Sequence, residues 1–367
     1  MTNSTLHKTS LNDWHRQHGG RMVEFAGWEM PIQYSTITEE HHAVRRQCGL
    51  FDISHMGRLE VRGRQAAEFL NSLVTIDVSR LSDHRIRYAL ATNSQGGIRD
   101  DILVYRQADA FLVVVNASNR EKIVEFWSSR LSRFPEAVLE DRTLQTSMIA
   151  VQGPEAAGIM RTEFPGVEQL KYYRCQSMIE QGSEIVVSRT GYTGEDGFEI
   201  IGSHDFVSAC WQRLFSHHQK ALRPCGLGCR DTLRLEAGMP LYGHELSEEI
   251  DPLAAGLAFA VDLGKSDFEG REELNRIRTA GPRQQRVGLE LEGRRIAREG
   301  ATILNNDGKP VGEVTSGTFS PTLERSIAMG YVPVELAAPG TSVTIDIRGK
   351  GCPACVSEIP FYRKGKG

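Results

Sequence analysis

The chain has 367 residues with a formal charge of -4, 40% hydrophobic and 25% charged residues, which is ordinary globular composition and excludes a fibrous or disordered chain. At the usual domain size this length predicts two or three cores. The mild acidity excludes the broad basic face that neutralises a phosphate backbone, so no nucleic acid partner is expected.

Met1 to Ser10 carries neither an apolar stretch nor an Arg-rich amphipathic pattern, so no export signal is expected, and folded sequence begins near Leu11. The apolar run Phe111 to Val115 has the length of a buried strand, far short of the ~20 residues that cross a bilayer, so no membrane segment is expected. Seven cysteines, at 48, 175, 210, 225, 229, 352 and 355, make an odd, sparse set that fits reduced thiols in the cytosol. Cys225 and Cys229 with Cys352 and Cys355 imitate two halves of a metal site, but the usual spacings are unmet, so no metal is expected.

In chain order, Phe25 to Tyr34 reads as a loop feeding a helix over Glu39 to Gln47. Alternation predicts a strand over Arg58 to Arg62, helical period predicts a helix over Ala66 to Leu73, and strands follow at Phe111 to Val115, Ser147 to Val151 and Glu184 to Ser188. Phe206 to Phe215 and Gly270 to Arg278 read as helices. Past Ala280-Gly281-Pro282 the texture changes to short strands at Arg286 to Leu291, Val311 to Ser316 and Ser342 to Ile347, with an Asn306-Asp307-Gly308 turn. The class is α+β, with a boundary near 280 and a small C-terminal barrel or sandwich.

Three segments are candidates for chemistry. Gly96-Gly97-Ile98-Arg99-Asp100-Asp101 sets two carboxylates after a glycine turn and before the strand Ile102 to Tyr105, which by itself reads as a solvated hairpin. Arg189 to Glu199 packs three glycines, three acids and two aromatics together. That density suits either a planar heterocycle with several N–H donors or a turn-rich strand edge whose acids face water. Cys225-Gly226-Leu227-Gly228-Cys229-Arg230 lacks the third glycine and the preceding strand of a dinucleotide loop. Arg230 lies near the start of a helical pattern over Thr232 to Gly243, where it meets either a ligand carboxylate or Asp231 or Glu236. His41-His42 and His217-His218 lie side by side rather than on one helical face and read as surface residues.

Taken in order, these segments resemble the T-protein (aminomethyltransferase) family. The resemblance is carried by Phe25-Ala26-Gly27-Trp28-Glu29-Met30-Pro31, Gly49-Leu50-Phe51-Asp52-Ile53-Ser54-His55-Met56-Gly57 and the Gly-Gly-Ile-Arg-Asp-Asp turn. It continues through Gly191-Tyr192-Thr193-Gly194-Glu195-Asp196-Gly197-Phe198-Glu199, Arg230-Asp231-Thr232-Leu233-Arg234-Leu235-Glu236 and Thr315-Ser316-Gly317-Thr318-Phe319-Ser320-Pro321. It covers about Leu11 to Phe361, and ordered co-occurrence is far more specific than one motif.

The resemblance implies a three-domain cloverleaf around a central folate channel, with antiparallel sheets, flanking helices and a C-terminal β barrel. The implied domains are 1–50 with 146–275, 51–145, and 283–367. It implies transfer of the one-carbon unit from the aminomethylated lipoyl arm of an H-protein to tetrahydrofolate, a co-substrate, with release of ammonia in the cytoplasm and no metal or flavin. The family's key aspartate falls on Asp100, and its folate positions fall on Tyr88, Asn116, Tyr172 or its neighbour Tyr173, Tyr192, Glu199 and Arg230. Cys229 stands where a small residue is expected. Two other functions compete, namely a folate-dependent demethylase of the same superfamily and a non-catalytic folate-binding protein. The chain has no flavin-binding fingerprint, and Asp100 with the full Gly191 to Glu199 run disfavours a non-catalytic role.

Overall fold

The computed structural model describes residues 6–365, so Met1 to Thr5 of the leading segment lie outside the described residues. The chain forms two compact units. One takes the chain up to Leu70, then Val78–Tyr88 and Ile102–Arg230, and the other takes Asn71–Asp77, Ala89–Asp101 and the chain from Asp231 onward. Among the described residues no helix is long and apolar enough to cross a membrane.

The first unit is organised on a six-stranded sheet in the order Cys175–Glu180, Ser183–Ser188, Gly197–Ser203, Thr146–Gln152, Cys48–Asp52, Leu222–Pro224. All neighbours are antiparallel except the last pair, which is parallel. One face is closed by the helices Ala156–Glu163 and His204–His217, whose Ile159, Met160, Phe206, Val207, Trp211 and Leu214 join Leu50, Val151, Val187 and Ile200 in one core. Ser203 caps the second of these helices by accepting from the Phe206 N–H. Helix Ile37–Arg46 opens with a full capping box of Thr36 and Glu39.

Two readings of this part are corrected. Phe25 to Tyr34 is not a loop. Arg21–Phe25 and Trp28–Gln33 form a hairpin, closed by Ala26 and Gly27 at φ 51° and 79°, the pair of left-handed residues that a two-residue turn needs. The signal was obscured because alanine seldom adopts that conformation. His41 is fully buried, because the inward face of its helix also takes Glu40, Val44 and Arg45.

In the second unit Gln284–Leu291, Thr302–Leu304, Pro310–Ser320, Arg325–Pro333, Ser342–Asp346 and Gly351–Ser357 close into a barrel, which leaves no open edge. Inward residues alternate along Gly351–Ser357, so Cys352, Ala354 and Val356 are buried while Cys355 is exposed. The pairing of Pro310–Ser320 with Arg325–Pro333 shifts register between Val314 and Ser316. Such a bulge re-aims side chains, and here Thr315 donates to Glu245 Oε1 at 2.6 Å and Ser316 accepts from Arg234 at 2.8 Å.

Candidate active site

Glu199 lies on the central strand Gly197–Ser203, between Ala150 on one side and Ser188 on the other. Both neighbours are ladder-bonded, so its position is rigid. The loop before it is built to aim it. Arg189 forks onto both Asp196 oxygens at 2.8 and 2.5 Å and ties down the carbonyls of Glu168 and Leu170. Arg45 donates to Glu195 at 3.0 Å and to the Thr193 carbonyl at 2.7 Å. A Cβ on Gly191 or Gly197 would meet the Gln152 amide at 2.0 or 2.3 Å, so those two glycines make room for the side chain that holds Thr190 and Thr193. The reading of this run as a strand edge with solvated acids is therefore wrong, since Glu195 and Glu199 are buried.

Thr190 donates to Glu199 Oε2 at 2.5 Å. With that hydroxyl proton committed, Ser188, 2.8 Å away, donates to Thr190, and Tyr105, 3.5 Å further on, feeds Ser188. Sequence reasoning missed Tyr105 and Ser188, because single hydroxyl residues in strands carry no motif, and it gave Thr190 no role of its own although that residue lies in the Arg189 to Glu199 run. Burial raises the Glu199 pKa, against the lowering effects of Thr190, Arg230 and Tyr105. Arg230 is lowered by burial, with Glu199 and Tyr192 acting to keep it charged. Its guanidinium lies 4.8 Å from the Tyr192 ring centroid, a cation–π contact.

Arg230 occupies the first turn of helix Leu227–Glu236. The helix expected over Thr232 to Gly243 thus begins five residues earlier and ends at Glu236, because Gly238 takes φ 64° and Pro240 follows. A short strand, Leu222–Pro224, does precede the Cys225 to Arg230 segment, contrary to expectation. Of the two acids considered for Arg230, Asp231 pairs with Arg234 at 2.8 Å and Glu236 accepts from Ser320 and from the Thr322 N–H at 2.5 and 3.1 Å.

The structure thus groups Tyr192, Glu199 and Arg230. Burial and then the Glu199 carboxylate raise the Tyr172 phenol, although the residue is 55% exposed. Tyr173, 4.7 Å away ring to ring, takes φ 60° and uses its backbone to bridge Arg189 and Ile86. Tyr88 is half-buried on Ile86–Thr92, and Asn116 is half-buried just after Ala110–Val115 at the start of a 3-10 turn.

Asp100 lies in the second unit and is fully buried. The solvated hairpin is corrected here, because the strand starts at Ile98 rather than Ile102. Asn93 Oδ1 accepts from the Gln95 and Gly97 N–H groups, and Ile98 N–H donates to Ser247 and Ile250. A Cβ on Gly97 would meet the Glu248 carbonyl at 1.8 Å, so only glycine permits this approach. Period-two alternation then buries Ile98, Asp100 and Ile102 and leaves Arg99, Asp101 and Leu103 partly exposed.

Cys225 and Cys229 gather with Glu40, one ligand atom each, all within 4.8 Å of one another. The Glu40 carboxylate is already occupied by the backbone N–H groups of Tyr34, Ser35 and Gly226. It therefore serves as a tie between chain segments.

The GCVT N-terminal domain family matches residues 11–265, and the glycine cleavage T-protein C-terminal barrel domain matches residues 284–363. The fold is that of the T-protein class. Aminomethyltransferase from Symbiobacterium thermophilum is 46% identical, with 98% of each chain covered. That from Streptomyces coelicolor is 45% identical over 100% of each. The crystal structure of glycine cleavage system aminomethyltransferase T from Bartonella henselae superposes with a TM-score of 0.93 at 34% identity, covering 98% of this chain and 99% of the other. The chain belongs to the aminomethyltransferase family of glycine cleavage T-proteins.

Proposed function

We propose that this enzyme transfers the one-carbon unit of an S-aminomethyldihydrolipoyl H-protein to tetrahydrofolate in the cytoplasm, giving 5,10-methylenetetrahydrofolate, ammonia and the free dihydrolipoyl thiol. The observation that carries it is the grouping of buried Glu199 with half-buried Arg230 and Tyr192 within a chain similar to aminomethyltransferases over its full length. The carbon leaves sulfur and its amino nitrogen and bonds to two folate nitrogens. The two protons displaced from those nitrogens end on ammonia and on the thiol. Neither metal nor flavin is required by that balance. Seven cysteines, all free thiols, support a reducing compartment.

Glu199 suits the pterin ring, because a buried carboxylate accepts paired N–H donors. Arg230 and Tyr192 supply a flat cationic wall, and Tyr172, Tyr88 and Asn116 complete the proposed folate contacts. Asp100 is the proposed catalytic carboxylate. Folate-dependent ammonia release from aminomethylated H-protein tests the reading. Release from small methylated amines, with none from the H-protein, would replace it with a demethylase.

Glu199→Ala is expected to weaken tetrahydrofolate binding by about 1–3 kcal/mol, the loss of a charged acceptor. Wild-type affinity is expected to fall with pH as the raised Glu199 pKa is crossed, because the protonated acid loses half of its paired acceptors. Calorimetry of wild type and variant across pH checks both, and an unaltered variant affinity would remove Glu199 from the site. Arg230→Lys keeps the charge and loses the planar fork that lies over the Tyr192 ring. A drop in folate affinity of about tenfold with an unchanged melting temperature is expected; the reverse pattern would make Arg230 a structural residue.

A further inference from the structure

We propose that His55 is a ligand-contacting residue of the site holding Tyr192, Glu199 and Arg230, and that its Nδ1 makes a hydrogen bond to bound tetrahydrofolate. The proposal rests on the folate reading above and adds to it a residue that no motif assigned.

The first support is position. Strands Cys48–Asp52 and Leu222–Pro224 are the parallel pair of the six-stranded sheet, with Leu222 opposite Cys48 and Pro224 opposite Leu50. The Cys225 N–H extends the ladder to the Leu50 carbonyl. Both chains therefore leave from the same, carboxyl edge of the sheet. One continues as Ile53-Ser54-His55, and the other enters the helix that carries Arg230. The carboxyl edge of parallel strands is where loops converge on a ligand.

The second support is an unused polar atom in a fully built environment. His55 is 2% exposed, and among the described residues its Nδ1 has no hydrogen-bond partner. Buried polar atoms are paired in the great majority of cases, and an exception is accounted for by strain, a functional role, or a bound water or ion. The backbone on both sides of His55 is held firmly. Ser54 exchanges hydrogen bonds with Met148 at 3.0 and 3.1 Å, and Arg58 donates to the carbonyls of Ser54 and Met56. The ring edge rests on Phe25, centroids 5.5 Å apart. The imidazole is thus preorganised while one of its nitrogens is left over.

The surroundings also define what His55 can do. Burial, and then the Arg230 guanidinium, hold its pKa down to about 3, with Arg58 acting in the same direction and Asp52 against it. The Asp52 carboxylate is taken by His15 at 2.9 Å and by the Ser54 N–H at 2.9 Å. Neutral imidazole at physiological pH hydrogen-bonds a ligand without acting as an acid, and its segment leaves from the same sheet edge as the one that carries Arg230.

The test uses the full-length protein, with tetrahydrofolate as the titrant and thermal melting in its absence. His55→Leu removes both ring nitrogens at similar volume. His55→Asn keeps a polar atom near the Nδ1 position. Tetrahydrofolate Kd is expected to rise about tenfold or more in His55→Leu, while the ligand-free melting temperature holds or rises, because an unpaired buried polar atom is gone. His55→Asn is expected to stay within about threefold of wild type. Wild-type affinity in His55→Leu would overturn the proposal. So would weaker binding accompanied by a lower melting temperature and not restored in His55→Asn. If the wild-type protein itself does not bind tetrahydrofolate, the folate reading falls first, which is a separate result.

Discussion

Turnover of Asp100→Asn is expected to fall by about 10²–10⁴-fold, the range for a positioned group that handles a proton or stabilises developing charge. Cationic character grows on the folate nitrogens and the departing amine as carbon changes partners. A fixed carboxylate stabilises it without having to attack carbon. Asp100 is suited to this by being fully buried on a strand whose start is locked by the Asn93 to Gly97 turn. An interaction made mainly in the transition state lowers kcat and leaves ground-state binding nearly intact, so tetrahydrofolate affinity is expected to change much less. Asp101→Asn is the paired control. Its side chain lies on the opposite, partly exposed face, and its turnover is expected within a few-fold of wild type. Assays with saturating tetrahydrofolate and aminomethylated H-protein decide the matter. Comparable turnover in Asp100→Asn and wild type would remove Asp100 from the chemistry, and a large loss in Asp101→Asn alone would move the role one residue along.

Arg234→Met is expected to cost about 3–5 kcal/mol of stability, the usual consequence of stranding a buried charge. Arg234 donates to Glu245 at 2.7 Å, to Asp231 and Ser316 at 2.8 Å each, and to the Met239 carbonyl at 3.2 Å. Glu245 is fully buried and also accepts from the Leu241 N–H and from Thr315. Burial by itself would raise the Glu245 pKa, but Arg234 and the hydroxyls of Ser316 and Thr315 bring it below the ordinary carboxylate value. In wild type that depression contributes stability above the unfolded carboxylate pKa, and the contribution is lost as pH falls through the folded value. In Arg234→Met the burial effect is left to dominate and the Glu245 pKa rises. The variant's deficit is then largest at neutral pH and shrinks as pH drops and Glu245 takes up a proton. At about 2–4 °C per kcal/mol, a melting temperature lower by roughly 6–20 °C at pH 7.5 is expected, with a smaller gap at pH 5. A gap that is constant or wider at pH 5 would show that Glu245 does not carry the effect.

Much was legible in the residues themselves. Periodicity located the strands at Ala110–Val115, Thr146–Gln152 and Ser183–Ser188 and the helices His204–His217 and Arg271–Ala280, because each buries one face and must place its apolar residues at the matching period. The ordered motifs from Phe25 to Pro321 carried the family, since turns closed by glycine and loops tied by fixed acids leave a local signature. Even so, the motifs named residues without saying what each side chain touches. Tertiary structure alone separated the acids of the Gly191 to Glu199 run, sending Glu195 to Arg45 and Asp196 to Arg189 and leaving Glu199 with Thr190 and Arg230. It also decided that the Ala26-Gly27 pair closes a hairpin, that His41 is buried, and that His55 keeps an unpaired nitrogen. The physical reason is common to these cases. Propensity and period are set by neighbours a few residues away, whereas burial, charge pairing and an unsatisfied atom depend on where the folded chain sets each partner, seven positions away for Arg189 and Asp196 and 150 for Arg45 and Glu195.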